Sequence, residues 1–126
     1  MTATCTSADL RRGMRRLPRS SNRSPQKMPL SRFTFLVKAP GYSPHKDRST
    51  LSSPQFTTVV IGVPDLISAM AAANEEVQAG TQLIELCGGF TQSEAAELRN
   101  NLSSNIPVGV VTYTPEQEAE LARLFE

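Results

Sequence analysis

Three residues of this chain carry groups suited to chemistry at a defined place: Glu85, Cys87 and Tyr113. Glu85 stands in the short apolar run Leu83, Ile84, Glu85, Leu86, where a carboxylate is costly unless it reaches solvent, a cation or a ligand. Two roles follow: a general base toward a bound molecule, or one half of an ion pair with Lys38 or Arg99. Cys87 comes two positions later, so on a strand the two side chains leave the same face. It also lies just before the start of a helix, which favours the reactive thiolate, although a single buried cysteine more commonly serves packing. With Cys87 or Tyr113 assisting Glu85 and helix N-termini polarising a carbonyl, the chemistry would be that of a small-molecule isomerase, cyclase or lyase. It would need no metal, nucleotide or other cofactor.

These residues depend on a strand, a turn and a helix between Thr81 and Ser93. The apolar run has the length of a buried strand, Gly88 and Gly89 permit a sharp turn, and Thr91 with Glu94 forms a capping box. Elsewhere the chain alternates in the same way. Residues 33–37, an apolar and partly aromatic run, predict a first strand ending at Ala39, Pro40 and Gly41; Ser43 and Pro44 then predict a short helical segment through His45 to Thr50. The β-branched run 56–61 predicts a second strand. After Pro64 and Asp65, a helix is expected with Leu66, Met70, Ala73 and Val77 as its apolar stripe and Gly80 as its stop. The Thr91 helix should bury Ala95, Leu98 and Leu102, and residues 107–111 give a fourth strand entered at Pro107. Thr114, Pro115 and Gln117 start a last helix with Leu121, Ala122, Leu124 and Phe125 on its apolar side.

The expected fold is therefore α/β, a four-stranded, mostly parallel sheet in βαβαβαβα order with helices packed on it. Continuous apolar strands call for cover on both faces, or on one face with a second subunit over the other, and a core this small favours a homo-oligomer, a dimer or higher. Parallel strands also bring their C-terminal ends to one edge, where ligands bind in open α/β sheets. That edge would carry Lys38, Tyr42, Asp65, Gly88, Gly89 and Thr112 as ligand-binding residues beside Glu85, Cys87 and Tyr113, with His45 able to close over it. Helix N-termini at the same edge suit a small organic or anionic ligand.

Composition narrows the field. Seven of the thirteen basic residues lie in 1–31 against Asp9 alone, leaving six basic and eleven acidic residues in 32–126. A domain with a formal charge of minus five argues against nucleic acid or an anionic membrane as partners. Cys5 and Cys87 are split between tail and domain, which offers no disulfide framework and suits a reducing compartment. His45 is the only histidine, which excludes a histidine-cluster metal site; Gly88 and Gly89 lack the spacing of a dinucleotide or phosphate-binding loop. The Glu116, Glu118 and Glu120 series reads as a solvated helix face. The tail 1–31 is expected to be disordered, as a gene-model extension before Met28, as a mitochondrial presequence, with Leu10, Met14 and Leu17 at helical spacing among arginines, or, ranked last for want of aromatic interleaving, as a basic arm for nucleic acid. A cytoplasmic location follows from the first reading and a mitochondrial one from the second. The remainder, 32–126, forms one α/β domain.

Phe35 to Gly41, Val59 to Val63, Ile84 to Phe90 and Pro107 to Val111 together resemble an uncharacterised family of small stand-alone α/β proteins, a domain of unknown function marked by the strand-turn motif IELCGGF. The resemblance covers about residues 32 to 112 and supports a domain start near Met28. It implies no reaction. After Val111 the sequence departs, with Thr112, Tyr113, Thr114 and an acidic helix where the family continues with an Arg-, His- and Gly-containing tail. Two functions of different class remain open: the cofactor-independent enzyme described above, and a non-catalytic oligomeric binding or interaction module using the same edge.

Overall fold

A computed structural model describes residues 29–126; the expectations for the N-terminal tail lie outside them. The elements are β1 (Arg32–Lys38), β2 (Arg48–Ser52), β3 (Thr57–Val63), α1 (Leu66–Gln78), β4 (Ile84–Leu86), α2 (Gln92–Asn101), β5 (Val108–Val110) and α3 (Pro115–Arg123). They form one five-stranded mixed sheet in the order β2-β3-β1-β4-β5. β1 pairs parallel with β3 and β4, and β4 with β5, as alternating strands and helices require.

The fifth strand corrects the expected count and element order, and adds one antiparallel pairing to a sheet that is otherwise parallel. Ser43 and Pro44 do start a turn: the Lys46 and Asp47 amides donate to Ser43 O at 3.1 and 2.7 Å, and Ser43 N–H donates to the Asp47 carboxylate at 2.7 Å. One turn is all that forms. Gly62 N–H then donates to Asp47 O at 2.7 Å, drawing residues 48–52 into antiparallel pairing with β3 instead of a helix. The Ser and Pro cluster that follows is a hairpin turn, closed by Ser53 N–H to Phe56 O at 2.8 Å and by the Ser53 hydroxyl accepting from Phe56 N–H at 3.0 Å.

Period-two alternation then decides which residues form the core. Register places Ile61, Leu36, Leu86 and Val110 in one row across the sheet and Val59, Thr34, Ile84 and Val108 in the next, on the face covered by α1 and α2. Leu36, Ile61, Ile84 and Leu86 are completely buried there. α1 reaches the sheet through Ala69, Ala72, Ala73 and Glu76, one position round from the expected stripe. Small side chains let its backbone approach closely, and the larger Leu66, Met70 and Val77 pack half-buried at its flanks. α2 buries Ala95 and Leu98 as expected, with its capping box formed in both directions and Leu102 half-buried beside the core.

The opposite face carries Ser49, Val60, Phe35, Glu85 and Gly109 in one row, with Leu51, Thr58 and Phe33 in another. None of these residues is buried, and among the described residues no helix covers them. α3 does not supply a cover, because none of its residues is buried.

Candidate functional site on the open sheet face

Glu85 is in the middle of that open face. Its strand neighbours Ile84 and Leu86 point into the core, so the carboxylate points the other way and is exposed. Across the sheet it stands between Phe35 and Gly109. It lines a cleft of about 180 Å³ with Gly109, Val110 and Val111. Gly109 leaves this space open, since a Cβ there would meet nothing within 4 Å. Among the described residues Glu85 has no ion-pair partner. The structural pairing with Lys38 is replaced by another: Lys38 Nζ donates to both carboxylate oxygens of Glu94 at 3.0 Å and lies 5.1 Å from the Phe90 ring centre. Lys38 is committed to α2 and does not reach the open face.

A second cleft of about 180 Å³ lies on the same face, lined by Val37, Tyr42, Asp47, Arg48, Ser49, Val60 and Gly62. Tyr42 roofs it by lying against β3 at Gly62, where a Cβ would come within 2.6 Å of the ring. Only glycine admits the ring at that depth. Tyr113 uses the same device at the other side: its ring rests on Gly88, 3.3 Å from where a Cβ would stand. Both tyrosines are partly exposed, Tyr42 by 39% and Tyr113 by 45%. Between them the face sets the apolar side chains of Phe35, Val37 and Val60 beside the Glu85 carboxylate.

Other expected site residues are spent on structure. Cys87 follows the last residue of β4, so the strand alternation that would pair it with Glu85 ends before it. Its side chain is half-buried against the core, and Sγ accepts from the amides of Lys38 at 3.3 Å and Gly89 at 3.4 Å. Gly88 and Gly89 form the turn; a Cβ on Gly89 would lie 3.2 Å from Lys38 O. Asp65 is the N-cap of α1 and accepts from Ser68 N–H at 2.8 Å, a bond that lowers its pKa. His45 is exposed and lines a separate cleft of about 250 Å³ with Ser68 and Glu75 of α1. Thr112 is exposed in the segment leading to α3.

The helix N-termini also differ from the expectation of free donors. Asp65, Thr91 and Thr114 each accept from an amide of the helix they start, and α2 adds the Glu94 carboxylate, held on Thr91 N–H at 2.9 Å. All three termini thus already have a carboxylate of their own, Asp65 at α1, Glu94 at α2 and Glu116 and Glu118 in the first turn of α3. That removes much of the expected attraction for an anion.

One carboxylate went unread in the sequence. Glu76 of α1 is buried, its side chain only 6% exposed, with Arg48 Nη2 at 2.9 Å and Arg32 Nη2 at 3.3 Å. Thr34 Oγ1 adds a hydrogen bond at 3.3 Å and is itself bonded to Thr81 Oγ1 at 2.9 Å. Because β1 and β2 flank β3, this one glutamate ties together the two strands on either side of it. The signal was its spacing, four residues after Ala72 and three after Ala73 on the small-residue side of the helix. Its partner Arg48 lay in the strand that was read as helix.

The comparison with protein families decides the kinship. The chain belongs to the family of unknown function DUF6506. The match covers residues 31–126. It therefore runs through α3, beyond Val111, where the resemblance seen in the sequence ended. No curated protein and no solved structure matches the chain. Among the described residues no helix is long and apolar enough to cross a membrane, and no three His, Cys, Asp or Glu residues gather as a metal site.

Proposed function

We propose that this member of DUF6506 binds a small organic molecule on the open sheet face, with Glu85 as the group that accepts a proton or hydrogen bond from it. The observation that carries this reading is an unpaired carboxylate set mid-sheet between Phe35 and Gly109, in a cleft kept open by a missing side chain. A carboxylate kept only for solubility has no need of such a place. The apolar floor of Phe35, Val37 and Val60 and the Tyr42 ring favour a ligand with an apolar body and at least one N–H, O–H or acidic C–H. With its N-termini capped and a carboxylate at the centre, the site favours a neutral or cationic ligand over an anion.

Proton transfer at carbon by Glu85 would make the protein a cofactor-independent isomerase, cyclase or lyase. Tyr113, near the same edge, would assist Glu85 by donating its hydroxyl proton. Cys87 takes a positioning part through the turn it holds. The competing reading is a non-catalytic binding module, favoured by the uncovered apolar area of the sheet and α3. Native mass spectrometry of the full chain purified from its own source reads retained ligand directly. Glu85→Gln separates the readings: an enzyme keeps its ligand and loses turnover, and a binding module shows no turnover in either form. A chain that retains nothing and shows no thermal shift with a panel of small amines, alcohols and carbonyl compounds overturns ligand binding.

A further inference from the structure

The sheet ends in β5 on one side and β2 on the other, and the two edges are finished differently. β5 is three residues long with Pro107 at its entry, a short edge of the kind that discourages pairing. β2 has five residues, all exposed, and no proline within it. Its one charged residue, Arg48, does not guard the edge, because the guanidinium donates to Glu76 Oε2 at 2.9 Å and to Pro44 O at 3.2 Å. Hydrogen-bond parity shows which backbone groups are spare. Gly62 N–H donates to Asp47 O and Ser53 N–H donates to Phe56 O, so the bonded positions of the β2–β3 ladder are the odd-numbered ones, Ser49 and Leu51 included. The N–H and C=O groups of Arg48, Thr50 and Ser52 therefore point away from β3, and among the described residues nothing pairs with them.

We propose that β2 pairs with β2 of a second copy, antiparallel about a two-fold axis at Thr50, joining the two sheets into one. The spare groups are symmetric about that residue. The two-fold sets Thr50 against the partner's Thr50 and Arg48 against the partner's Ser52, and each opposed pair exchanges two N–H···O bonds. Facing threonines are a favourable pair, and the two Arg48 side chains lie at opposite ends of the seam, so no like charges meet. A foreign peptide would use the same backbone groups; the symmetry of the seam is what selects a second copy. On the open face the same parity brings Leu51, 76% exposed, beside the partner's Ser49 in a close pair. Ser49 lines the Tyr42 cleft, so each copy adds its Leu51 as a wall of the other's cleft. That wall would shape the ligand of the reading above; the pairing does not rest on that reading. Both β2 edges are consumed, which closes the assembly at two. Five residues make a seam of about 17 Å. The contact is well below the size of a tight interface, so the pairing is weak and concentration-dependent, with a Kd on the order of 0.1 mM.

Sedimentation velocity on the full chain, with no ligand added, is expected to pass from one chain mass to two between about 1 μM and about 1 mM. T50P tests the seam. Its ring removes an N–H that has no partner in β3, and proline is tolerated at such an edge position. The circular dichroism spectrum and the denaturant midpoint should stay close to wild type while pairing weakens by at least about tenfold. Should T50P not fold, amide hydrogen exchange in the wild-type chain decides: exchange at Arg48, Thr50 and Ser52 should slow as concentration rises, while Ser49 and Leu51, already bonded to β3, should not change. A chain that is monomeric up to about 1 mM overturns the proposal. So does an assembly beyond two, a dimer indifferent to T50P, or a dimer whose Thr50 amide exchanges as in the monomer. A monomer that retains a ligand ends the pairing and leaves the ligand reading standing; a dimer of this kind that retains none does the reverse.

Discussion

Glu76 and Glu85 are the same residue type on opposite sides of one sheet, and they are treated in opposite ways. Glu76 is pressed between α1 and the strands, and two arginines and a threonine satisfy it. Glu85 faces outward, and among the described residues its carboxylate has no partner. A buried carboxylate must be compensated within the fold, so its partners are fixed by the structure. An exposed one has no such demand. Glu85 is available to whatever lies on the open face.

The largest expected effect tests the buried side. Glu76→Ala leaves Arg32, Arg48 and Thr34 without their shared acceptor and should cost about 3–5 kcal/mol, read as a fall in the denaturant midpoint. If the cost is below about 1 kcal/mol, the network is not what ties β1 and β2 to α1. Leu36→Ala, at the centre of the core row, should cost about 2–5 kcal/mol by the same measurement.

Gly62→Ala tests the open face, because the new methyl must displace the Tyr42 ring. The nearest atom is the ring root, Cγ at 2.6 Å, so the whole ring must turn aside; about 1–3 kcal/mol is expected, together with a change in tyrosine fluorescence. An unchanged spectrum would mean that Tyr42 does not roof the cleft.

Acid titration adds a smaller contrast. The Glu94 pKa lies below its ordinary value of 4.5, first through the hydrogen bond from Thr91 N–H and then through Lys38. A lowered folded-state pKa contributes stability that is present above 4.5 and lost as the pH falls through the folded value. Glu94→Gln should therefore flatten the acid limb of the stability curve below pH 4.5 and lower stability near neutrality. A limb of unchanged steepness would remove Glu94 as its source. Least of all, Glu85→Gln should change stability by under about 0.5 kcal/mol while ligand retention or turnover changes. A large loss of stability would show that Glu85 has a structural partner after all.

Much of the fold was legible because local rules and tertiary packing agree at most elements. The capping box at Thr91, Pro115 after Thr114, and the β-branched run before Gly62 each specify local structure within a few residues. The segment 43–52 is where they disagree. Its helix-start signal is genuine and yields one turn, but edge pairing with β3 outweighs it, and pairing partners distant in sequence are invisible to a local pattern. Cys87 shows the same limit at smaller scale: its spacing from Glu85 is a strand spacing, and the strand stops one residue too soon.

The sequence by itself determined the α/β class, the starts of α1, α2 and α3, and the turn at Gly88 and Gly89. These follow from propensity, capping and period, which act over one or two turns of chain. Only the tertiary structure decided that Lys38 pairs with Glu94 and not Glu85, that Glu76 is buried among arginines from two strands, and that no helix among the described residues covers the sheet face beneath Tyr42. Each of those depends on which elements become neighbours, and that choice belongs to packing of the whole domain.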